Sequence, residues 1–587
     1  MELRIWMGRA GAGKSRRVLA TIEERRRLRP QVLLVPEHAS HEAELDLCRA
    51  CGPTASRDAE VLSFRNLATR VLAQTGGLAD VTLDNGGKLL TMRRALQEVS
   101  GRLTVFARPS QRPAFLRQLV ALADELYAYQ VTPEMLLAQV EDMEGAAGDK
   151  LRSAALIYGA YDAHLRGQGA DARSRVQKLC DALPQSDYLA GKDIYVDGFS
   201  YFNRVEEDIL ATALRQGSSL TVTLLGDESD PQLFQNALRQ RDRLKRMAAA
   251  VHCACKAETL VGKNEGALGY LERGIFGGDA PWQGETPPIR LYQAETAFSE
   301  VEYVSACVRR LARQGCRWRN IGVAARNMEV YGPLLEAVFR RDGIPAYISR
   351  RSDILEKPVL TMVLSAVDAV TGGFEYEDVF RCLKTGIAGI TAAECDVLEN
   401  YVIRWEIRGN MWLRETDWTA DPDGYGGEMT EARRQRLAEV NAVRRKVRAL
   451  LAALHDGLKS GKTIRDKAEA LYRFAELAGV PETLRQQTDA LYDGGQVQLA
   501  EEYSQLWTIF CGVLDQFVEL LGDMEADGPE FARLLRLVLS QYAVATIPAT
   551  LDQVKVTPIT RNDRHTVAHL FLLGANDNVL PTVEQGG

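Results

Sequence analysis

The residues with the clearest chemistry lie at the start of the chain, in the run Gly8-Arg9-Ala10-Gly11-Ala12-Gly13-Lys14-Ser15. This G-x-x-x-x-G-K-S pattern is typical of a phosphate-binding loop, in which backbone N–H groups curl around phosphates at a helix N-terminus. We expect Lys14 to reach the β- and γ-phosphates of ATP, and the Ser15 hydroxyl to hold Mg²⁺. The alternative is a glycine-rich turn that only resembles the motif. The context of the run favours the loop.

That context is a strand before the run and a helix after it, as the motif requires. Leu3–Met7 is apolar enough for a short buried strand. From Ser15 to about Leu28 the apolar residues Val18 and Ile22 share one helical face. The sequence therefore predicts a strand, a phosphate loop and a helix in direct succession.

Asp197 is the second candidate for a catalytic role, because it directly follows the apolar segment Ile194-Tyr195-Val196. Phosphate-loop ATPases place an acid at the end of a neighbouring strand to hold Mg²⁺. We therefore expect Asp197 to share the metal with Ser15. The alternative is a solvated acid at a strand end.

Arg326 follows a strand predicted at Ile321–Ala324 in the second half of the chain. An arginine in that place can reach a γ-phosphate held by another domain and couple domain closure to the nucleotide. Its alternative is an ordinary surface residue.

The run Ser63-Phe64-Arg65 opens a predicted helix after the short strand Val61-Leu62. The Ser63 hydroxyl and the backbone N–H groups of this turn could hold a DNA phosphate. Ser63 is equally suited to cap the helix, and the two roles are compatible. We assign all three residues to DNA binding.

Composition limits the class of protein more than its activity. The chain has 587 residues, 26% of them charged and 46% hydrophobic, with a formal net charge of −7. A chain of this length predicts several domains, and its charge predicts that any DNA contact uses local basic stripes. No apolar run approaches a membrane span, and the phosphate loop starts too early to follow a signal peptide. These features predict a cytoplasmic protein with no membrane partner.

The ten cysteines show no framework spacing, so we expect reduced thiols. Cys48 and Cys51 form the single C-x-x-C pair, and His38 and His41 lie near them. A metal site there is the alternative to burial on a helix, and the helical spacing of Cys48 favours burial.

Strand and helix signals alternate twice along the chain, and a helical block interrupts each alternation. The pattern predicts an α/β protein with two RecA-like parallel-sheet domains of the superfamily 1 (UvrD-like) helicase type, each with a helical insertion. The predicted segments are 1–84 and 183–276 for the first, ATP-binding sheet domain, 85–182 for its insertion, 277–288 for a linker, 289–356 and 546–587 for the second sheet domain, and 357–545 for its insertion. In such motors ATP lies between the two sheets.

One residue departs from the pattern of a working motor. Helicases of this type have a glutamate directly after the magnesium aspartate, and it orients the attacking water. Here the residue after Asp197 is Gly198. Glu206 or Glu207, on the next predicted helix, could replace the missing base. The sequence thus leaves open weak turnover, or none, as well as turnover that uses one of these glutamates as its base.

The chain resembles the AddB family, the B subunits of bacterial AddAB helicase–nucleases, nearly from end to end. The segments that carry the resemblance are Gly8–Ser15, Leu34-Val35-Pro36-Glu37, Leu62-Ser63-Phe64, Tyr195-Val196-Asp197-Gly198-Phe199, Tyr331, Gly343-Ile344-Pro345, Leu383-Lys384-Thr385-Gly386, Leu398-Glu399-Asn400-Tyr401 and Leu573-Gly574-Ala575-Asn576-Asp577. The Asp-Gly-Phe and Leu-Glu-Asn-Tyr segments are more specific to the family than the phosphate loop is.

The resemblance implies a subunit that works with an AddA-like helicase–nuclease partner in a heterodimer. It would bind single- and double-stranded DNA and process double-strand breaks for recombinational repair. Like the family, the chain lacks the Asp-Glu pair, and seven residues before Gly8 leave no room for a glutamine motif that grips adenine. Family members are about twice as long, and their second half carries a nuclease domain and a 4Fe-4S cluster. We interpret this chain as a fragment to which neither can be assigned.

Three functions follow from these observations. The first is an ATP-binding, helicase-like DNA-binding subunit with weak or no motor activity. The second is a stand-alone ATP-driven superfamily 1 DNA helicase that uses Glu206 or Glu207 as its base. The third is a phosphate-loop kinase or structural ATPase with no connection to DNA.

Overall fold

The computed structural model of the chain describes residues 2–77, 83–103, 105–106, 113–140, 143–167, 175–262, 266–274, 281–286, 288–348, 352–426, 428–544, 552–560 and 567–582. The strands are β1 (Glu2–Gly8), β2 (Gln31–Leu34), β3 (Ala59–Leu62), β4 (Asp193–Val196), β5 (Ser219–Leu225), β6 (Ala254–Thr259), β7 (Ile321–Ala325), β8 (Ala346–Ile348), β9 (Ser352–Asp353), β10 (Ala543–Val544), β11 (Val554–Pro558) and β12 (His569–Leu573). The helices are α1 (Lys14–Arg25), α2 (Ser40–Cys51), α3 (Phe64–Thr75), α4 (Asn85–Val99), α5 (Pro113–Ala128), α6 (Pro133–Val140), α7 (Gly145–Gly167), α8 (Arg175–Ala182), α9 (Arg204–Gln216), α10 (Gln235–Ala250), α11 (Gly266–Gly274), α12 (Ala297–Arg313), α13 (Met328–Arg341), α14 (Pro358–Gly372), α15 (Tyr376–Leu383), α16 (Ala392–Arg404), α17 (Glu431–Ser460), α18 (Ile464–Leu477), α19 (Val480–Asp493), α20 (Val497–Leu521) and α21 (Gly528–Leu539).

The first sheet has the strand order β3-β2-β4-β5-β1-β6, and its neighbouring strands are parallel. Alternate side chains of β1, β2 and β4 face opposite layers of helices, as expected for strands covered on both faces. On β1, Leu3 and Ile5 join the core beneath α3, α9 and α10, whereas Trp6 joins the core beneath α1 and α2. The carboxyl ends of the strands therefore meet at one edge, where loops can build a site.

The second sheet has the order β12-β7-β11-β8 and is also parallel. Helices α12 and α13 pack on it through a core that includes Val304, Leu335 and Val556. Tyr331 of α13 donates a 2.6 Å hydrogen bond to Glu300 of α12, and Glu300 accepts a 2.9 Å bond from the backbone N–H of Gly574. Residues that carried the family resemblance thus join two helices to the end of β12.

The predicted α/β fold, with two parallel sheets and helical insertions, is confirmed. Several local predictions differ from the structure. Cys48, whose helical spacing favoured burial, lies on α2 but is exposed, whereas Cys51 is buried. Residues 289–292, where a strand was predicted, are irregular, and Leu291 is 98% exposed, so its apolar side chain was not a sign of burial. Strand β6 was missed because all six of its residues are exposed at the sheet edge and its sequence has no apolar alternation.

The described parts of the two helical insertions share one hydrophobic core. The cluster contains Leu89 and Leu90 of α4 together with Leu535 and Val538 of α21. Helix α8 differs, because it packs against α3 and α9 and its Leu179 lies in the first sheet core, although the sequence placed it within the insertion. Helical periodicity predicted these helices but could not show which core each one joins.

A linker leads into the second domain, and a short strand pair marks where the chain enters and leaves the insertion of that domain. Within the predicted linker 277–288, residues 281–286 are irregular, and residues 277–280 and 287 lie outside the described residues. The short antiparallel pair β9–β10 joins the two ends of the second helical insertion. The chain thus enters and leaves that insertion at one place.

Candidate nucleotide site

The run Gly8–Ser15 forms the predicted turn between β1 and α1. Strand β1 ends at Gly8 and helix α1 begins at Lys14. Gly11 and Gly13 have φ values of 74° and 84°, in the left-handed region that glycine adopts without a steric cost. These two residues turn the backbone so that the loop closes directly onto the N-terminus of α1.

Gly8 is required by close packing rather than by its backbone angles. A Cβ atom at this position would lie 2.8 Å from the carbonyl oxygen of Leu260 and 2.9 Å from the Cβ of Ala12. The Leu260 backbone N–H in turn donates a 2.6 Å hydrogen bond to the Met7 carbonyl. The segment after β6 therefore holds the start of the loop in place.

Lys14 lies inside the loop with its ammonium group on backbone carbonyls. Its Nζ donates hydrogen bonds of 2.7 Å to the Gly8 carbonyl and 2.8 Å to the Arg9 carbonyl. Burial lowers the pKa of Lys14, and the negative charges of Asp197 and Glu272 partly oppose that shift. The structure thus places Lys14 within electrostatic range of Asp197. It adds Glu272 of α11, which the sequence gave no reason to choose.

Asp197 follows β4 at the carboxyl edge of the sheet and is 2% exposed. Thr223 of β5 donates a 2.5 Å hydrogen bond to its Oδ1. The Asp197 backbone N–H donates a 2.9 Å bond to the Leu34 carbonyl. Both contacts fix the carboxylate relative to its neighbouring strands. Thr223 was missed, although polar threonines between buried apolar residues of a central strand were a usable signal.

Gly198 occupies the position at which a motor has its catalytic glutamate. Its φ is 87°, a conformation that side-chain-bearing residues rarely adopt, and a Cβ there would lie 3.4 Å from Cδ of Pro36. A glutamate at this position would be strained on the present backbone. The departure from the motor pattern therefore involves the local backbone as well as the side chain.

The two acids that could replace that base have other partners. The Glu206 carboxylate accepts a 3.0 Å hydrogen bond from the backbone N–H of Asn203 in a capping box at the start of α9. Burial raises the pKa of Glu206. Glu207 accepts a 3.0 Å bond from Gln240 and lies 3.3 Å from Arg243. Each carboxylate is thus used in holding α9 or α10.

The loop after β5 connects to the phosphate loop, because β5 lies between β1 and β4 in the sheet. The Arg9 guanidinium donates a 2.7 Å hydrogen bond to Asp227 and lies 5.1 Å from the ring centre of Phe234. Partial burial alone would raise the pKa of Asp227, but hydrogen bonds from Arg9 and Ser229 outweigh it and lower that pKa. The end of β5 therefore contacts both halves of the site, Asp197 through Thr223 and the loop through Asp227.

The three predicted DNA-binding residues have different environments. Ser63 caps α3, and its hydroxyl accepts a 3.1 Å hydrogen bond from the Asn66 backbone N–H. Phe64 is 5% exposed and packs against Phe199 with ring centres 5.3 Å apart. Arg65 is exposed and lies 3.4 Å from Glu37. A direct contact between the Phe64 ring and DNA is therefore excluded in this conformation, because the ring is part of the core.

Arg326 is exposed at the carboxyl end of β7. The described contacts do not join it to the phosphate loop. An ion pair between Lys555 of β11 and Glu42 of α2 does connect the second sheet domain with the first. This pair lies near the carboxyl edge of the first sheet, because α2 follows β2.

Comparison with known proteins agrees with this architecture. A family model described as "ADDB, N-terminal" matches residues 5–272, which span the first sheet and its helical insertion. The resemblance to the AddB family is confirmed. Over its whole length the chain is also 31% identical to the B subunit of the ATP-dependent helicase/deoxyribonuclease of Acetivibrio thermocellus and 32% identical to that of Pelotomaculum thermopropionicum. It covers 53% of each of these two proteins, so it spans about half the length of the curated relatives that it matches.

The B subunit of the same name from Caldanaerobacter subterraneus subsp. tengcongensis is 31% identical over 99% of the chain, which covers 52% of it. Across the part of the chain that the structure describes, no helix is both long enough and apolar enough to cross a membrane.

Proposed function

We propose that this chain is the ATP-binding, helicase-like part of a DNA-processing subunit with weak or no motor activity of its own. One observation carries this proposal. The phosphate loop is formed, with Lys14 inside it and Asp197 held by Thr223, while the adjacent position for a catalytic base is a left-handed glycine. The site is suited to holding a nucleotide and poorly suited to activating water.

The loop fits ATP and Mg²⁺ by the chemistry of its donors. The backbone N–H groups of Gly8–Ser15 and the Lys14 ammonium would hold the phosphates. Ser15 and Asp197 would hold Mg²⁺, which neutralises phosphate charge when bound. Arg326 would reach the γ-phosphate from the second sheet domain. The domain division predicted from the sequence, with α8 added to the first sheet domain, is part of this proposal.

We assign the chain to a heterodimer with an AddA-like subunit that resects double-strand DNA breaks for recombinational repair. The names of the relatives support a role as one subunit of a helicase/deoxyribonuclease, since each is called the B subunit of such an enzyme. Ser63 and Arg65 are the proposed DNA contacts on the first domain, and Phe64 supports them from the core. A cytoplasmic location follows from this role.

Purified chain with and without Lys14→Ala tests the proposal. We expect calorimetry to show Mg·ATP binding by the unmodified chain and none by Lys14→Ala. We also expect ATP turnover far below the roughly 1–10³ s⁻¹ that is typical of enzymes, even when single-stranded DNA is present. Robust turnover that depends on Lys14 without a partner would instead favour the stand-alone helicase. Salt-dependent binding to a single-stranded oligonucleotide separates both from a kinase or structural ATPase, which would not bind it even at low salt.

A further inference from the structure

The two helical insertions meet at their roots, where each leaves its sheet domain. Asp84 caps α4 at the start of the first insertion, and Tyr542 follows α21 at the end of the second. The Tyr542 hydroxyl donates a 2.6 Å hydrogen bond to Oδ2 of Asp84. Gln516 of α20 donates a 2.9 Å bond to the same oxygen. Residues far apart in sequence are thus joined at the base of both insertions.

The packing around this contact leaves no space. A Cβ atom on Gly86 would lie 2.8 Å from the Tyr542 hydroxyl, 3.0 Å from Cγ1 of Val538 and 3.2 Å from Oε1 of Gln516. Such approaches are shorter than ordinary van der Waals contact, so a larger residue would have to displace the side chains of Tyr542, Val538 and Gln516. The glycine at the start of α4 therefore lets these three side chains pack against that helix.

Further along α4, towards its C-terminus, two more polar contacts join this helix to α20 and α21. Arg93 forms an ion pair with Glu530 in the first turn of α21. Arg94 donates a 2.9 Å hydrogen bond to the Leu520 carbonyl of α20. Between these contacts lies the shared apolar core, which includes Leu90 and Leu535. Close-packed cores resist sliding, because each displaced side chain loses its contacts.

Domains that close around a ligand move by hinge or shear motions. A packed body that joins both sheet domains would oppose such a motion. We propose that α4, α20 and α21 clamp the two helical insertions into one block that fixes the spacing of the two sheet domains, so that nucleotide binding leaves this spacing unchanged. The clamp gives a mechanical reason for the weak motor activity of the proposed function. Its second test, described below, rests on that proposed function. The Lys555–Glu42 ion pair adds a direct contact between the two sheet domains.

The first test does not depend on nucleotide. In hydrogen–deuterium exchange, Gly86→Ala should increase exchange of backbone amides in α4, α20 and α21 together. Gly512→Ala is the matched control, because a Cβ on this glycine of α20 meets no atom within 4 Å. Tyr542→Phe, which removes only the hydroxyl on Asp84, serves if Gly86→Ala does not fold. An increase confined to α4, or no increase in any helix, would show that the insertions are independent.

The second test measures the spacing itself. Fluorescent labels on unnatural residues at exposed positions 49 of α2 and 340 of α13 report the distance between the sheet domains by energy transfer. Saturating Mg·ATP should shift this distance by less than about 2 Å in the otherwise unmodified chain and by more in Gly86→Ala. A larger shift in the chain without Gly86→Ala would overturn the clamp. Calorimetry on the same samples shows whether nucleotide is bound, so failure of the nucleotide site is distinguished from failure of the clamp.

Discussion

Thr223 donates a 2.5 Å hydrogen bond to Asp197, and both side chains are buried at the carboxyl edge of the first sheet. Because Asp197 is the proposed magnesium residue, Thr223 acts as a positioning residue. Thr223→Val keeps the side-chain shape and leaves one carboxylate oxygen without this donor. The lost bond is worth roughly 1–3 kcal/mol, so we expect about tenfold weaker Mg·ATP binding by calorimetry, or more.

Thr223→Ser is the matched control, because it keeps the hydroxyl and should restore most of the affinity. Binding of ATP measured without Mg²⁺ should change little in either variant. Equal losses with and without Mg²⁺ would show that Thr223 supports the strand rather than the metal residue.

Gly8→Ala should disrupt the loop through packing alone. The added methyl group would meet the Leu260 carbonyl at 2.8 Å and must displace backbone. Overpacking of this kind costs about 1–3 kcal/mol, so the unfolding free energy should fall by that amount and nucleotide binding should weaken with it. Gly101→Ala, where a Cβ meets no atom within 4 Å, should leave both unchanged.

Arg9→Met should make the free energy of unfolding less dependent on pH in the acid range. The pKa of Asp227 is lowered in the folded chain, so its contribution to stability is present above the unfolded pKa of about 4 and is lost as the pH falls through the folded pKa. The difference in unfolding free energy between the unmodified chain and Arg9→Met should therefore be largest near neutral pH and shrink below about pH 4.

Chemical denaturation across that pH range measures the difference. In an Asp227→Asn background, Arg9→Met should leave no pH-dependent difference. A difference that persists there would assign the effect to another acid, such as Asp230, which lies 3.9 Å from Arg9.

Phe64 and Arg65 are adjacent in sequence and should behave differently. Phe64→Ala removes a buried ring and should lower the unfolding free energy by about 3–5 kcal/mol. Arg65→Ala, at an exposed position, should change it by less than about 0.5 kcal/mol. The Arg65→Ala substitution should also weaken binding to single-stranded DNA. In a plot of log affinity against log salt concentration, the magnitude of the slope should fall by about 1, as expected for the loss of one phosphate contact. An unchanged slope would remove Arg65 from the DNA interface.

The sequence predicted the strand, the glycine-rich turn and the helix at the start of the chain well, because these elements are local. A strand, a glycine-rich turn and a helix N-terminus lie within the first 25 residues, and the acid of Asp197 follows a clear apolar strand. The burial of Phe64 against Phe199 was not predictable, because the two rings come from segments more than a hundred residues apart. The shared core of the insertions was missed for the same reason, since helical periodicity identifies an apolar face but not its partner.

The fate of bound nucleotide shows whether this chain holds ATP without efficiently cleaving it, as we propose. The chain is mixed with substoichiometric Mg·ATP and single-stranded DNA, and the nucleotide bound to the protein is identified by chromatography over time. We predict that it is recovered as ATP over many minutes and that Lys14→Ala retains none. Conversion of the bound nucleotide to ADP within about a second, the timescale of an ordinary enzyme turnover, would show instead that the chain cleaves ATP efficiently.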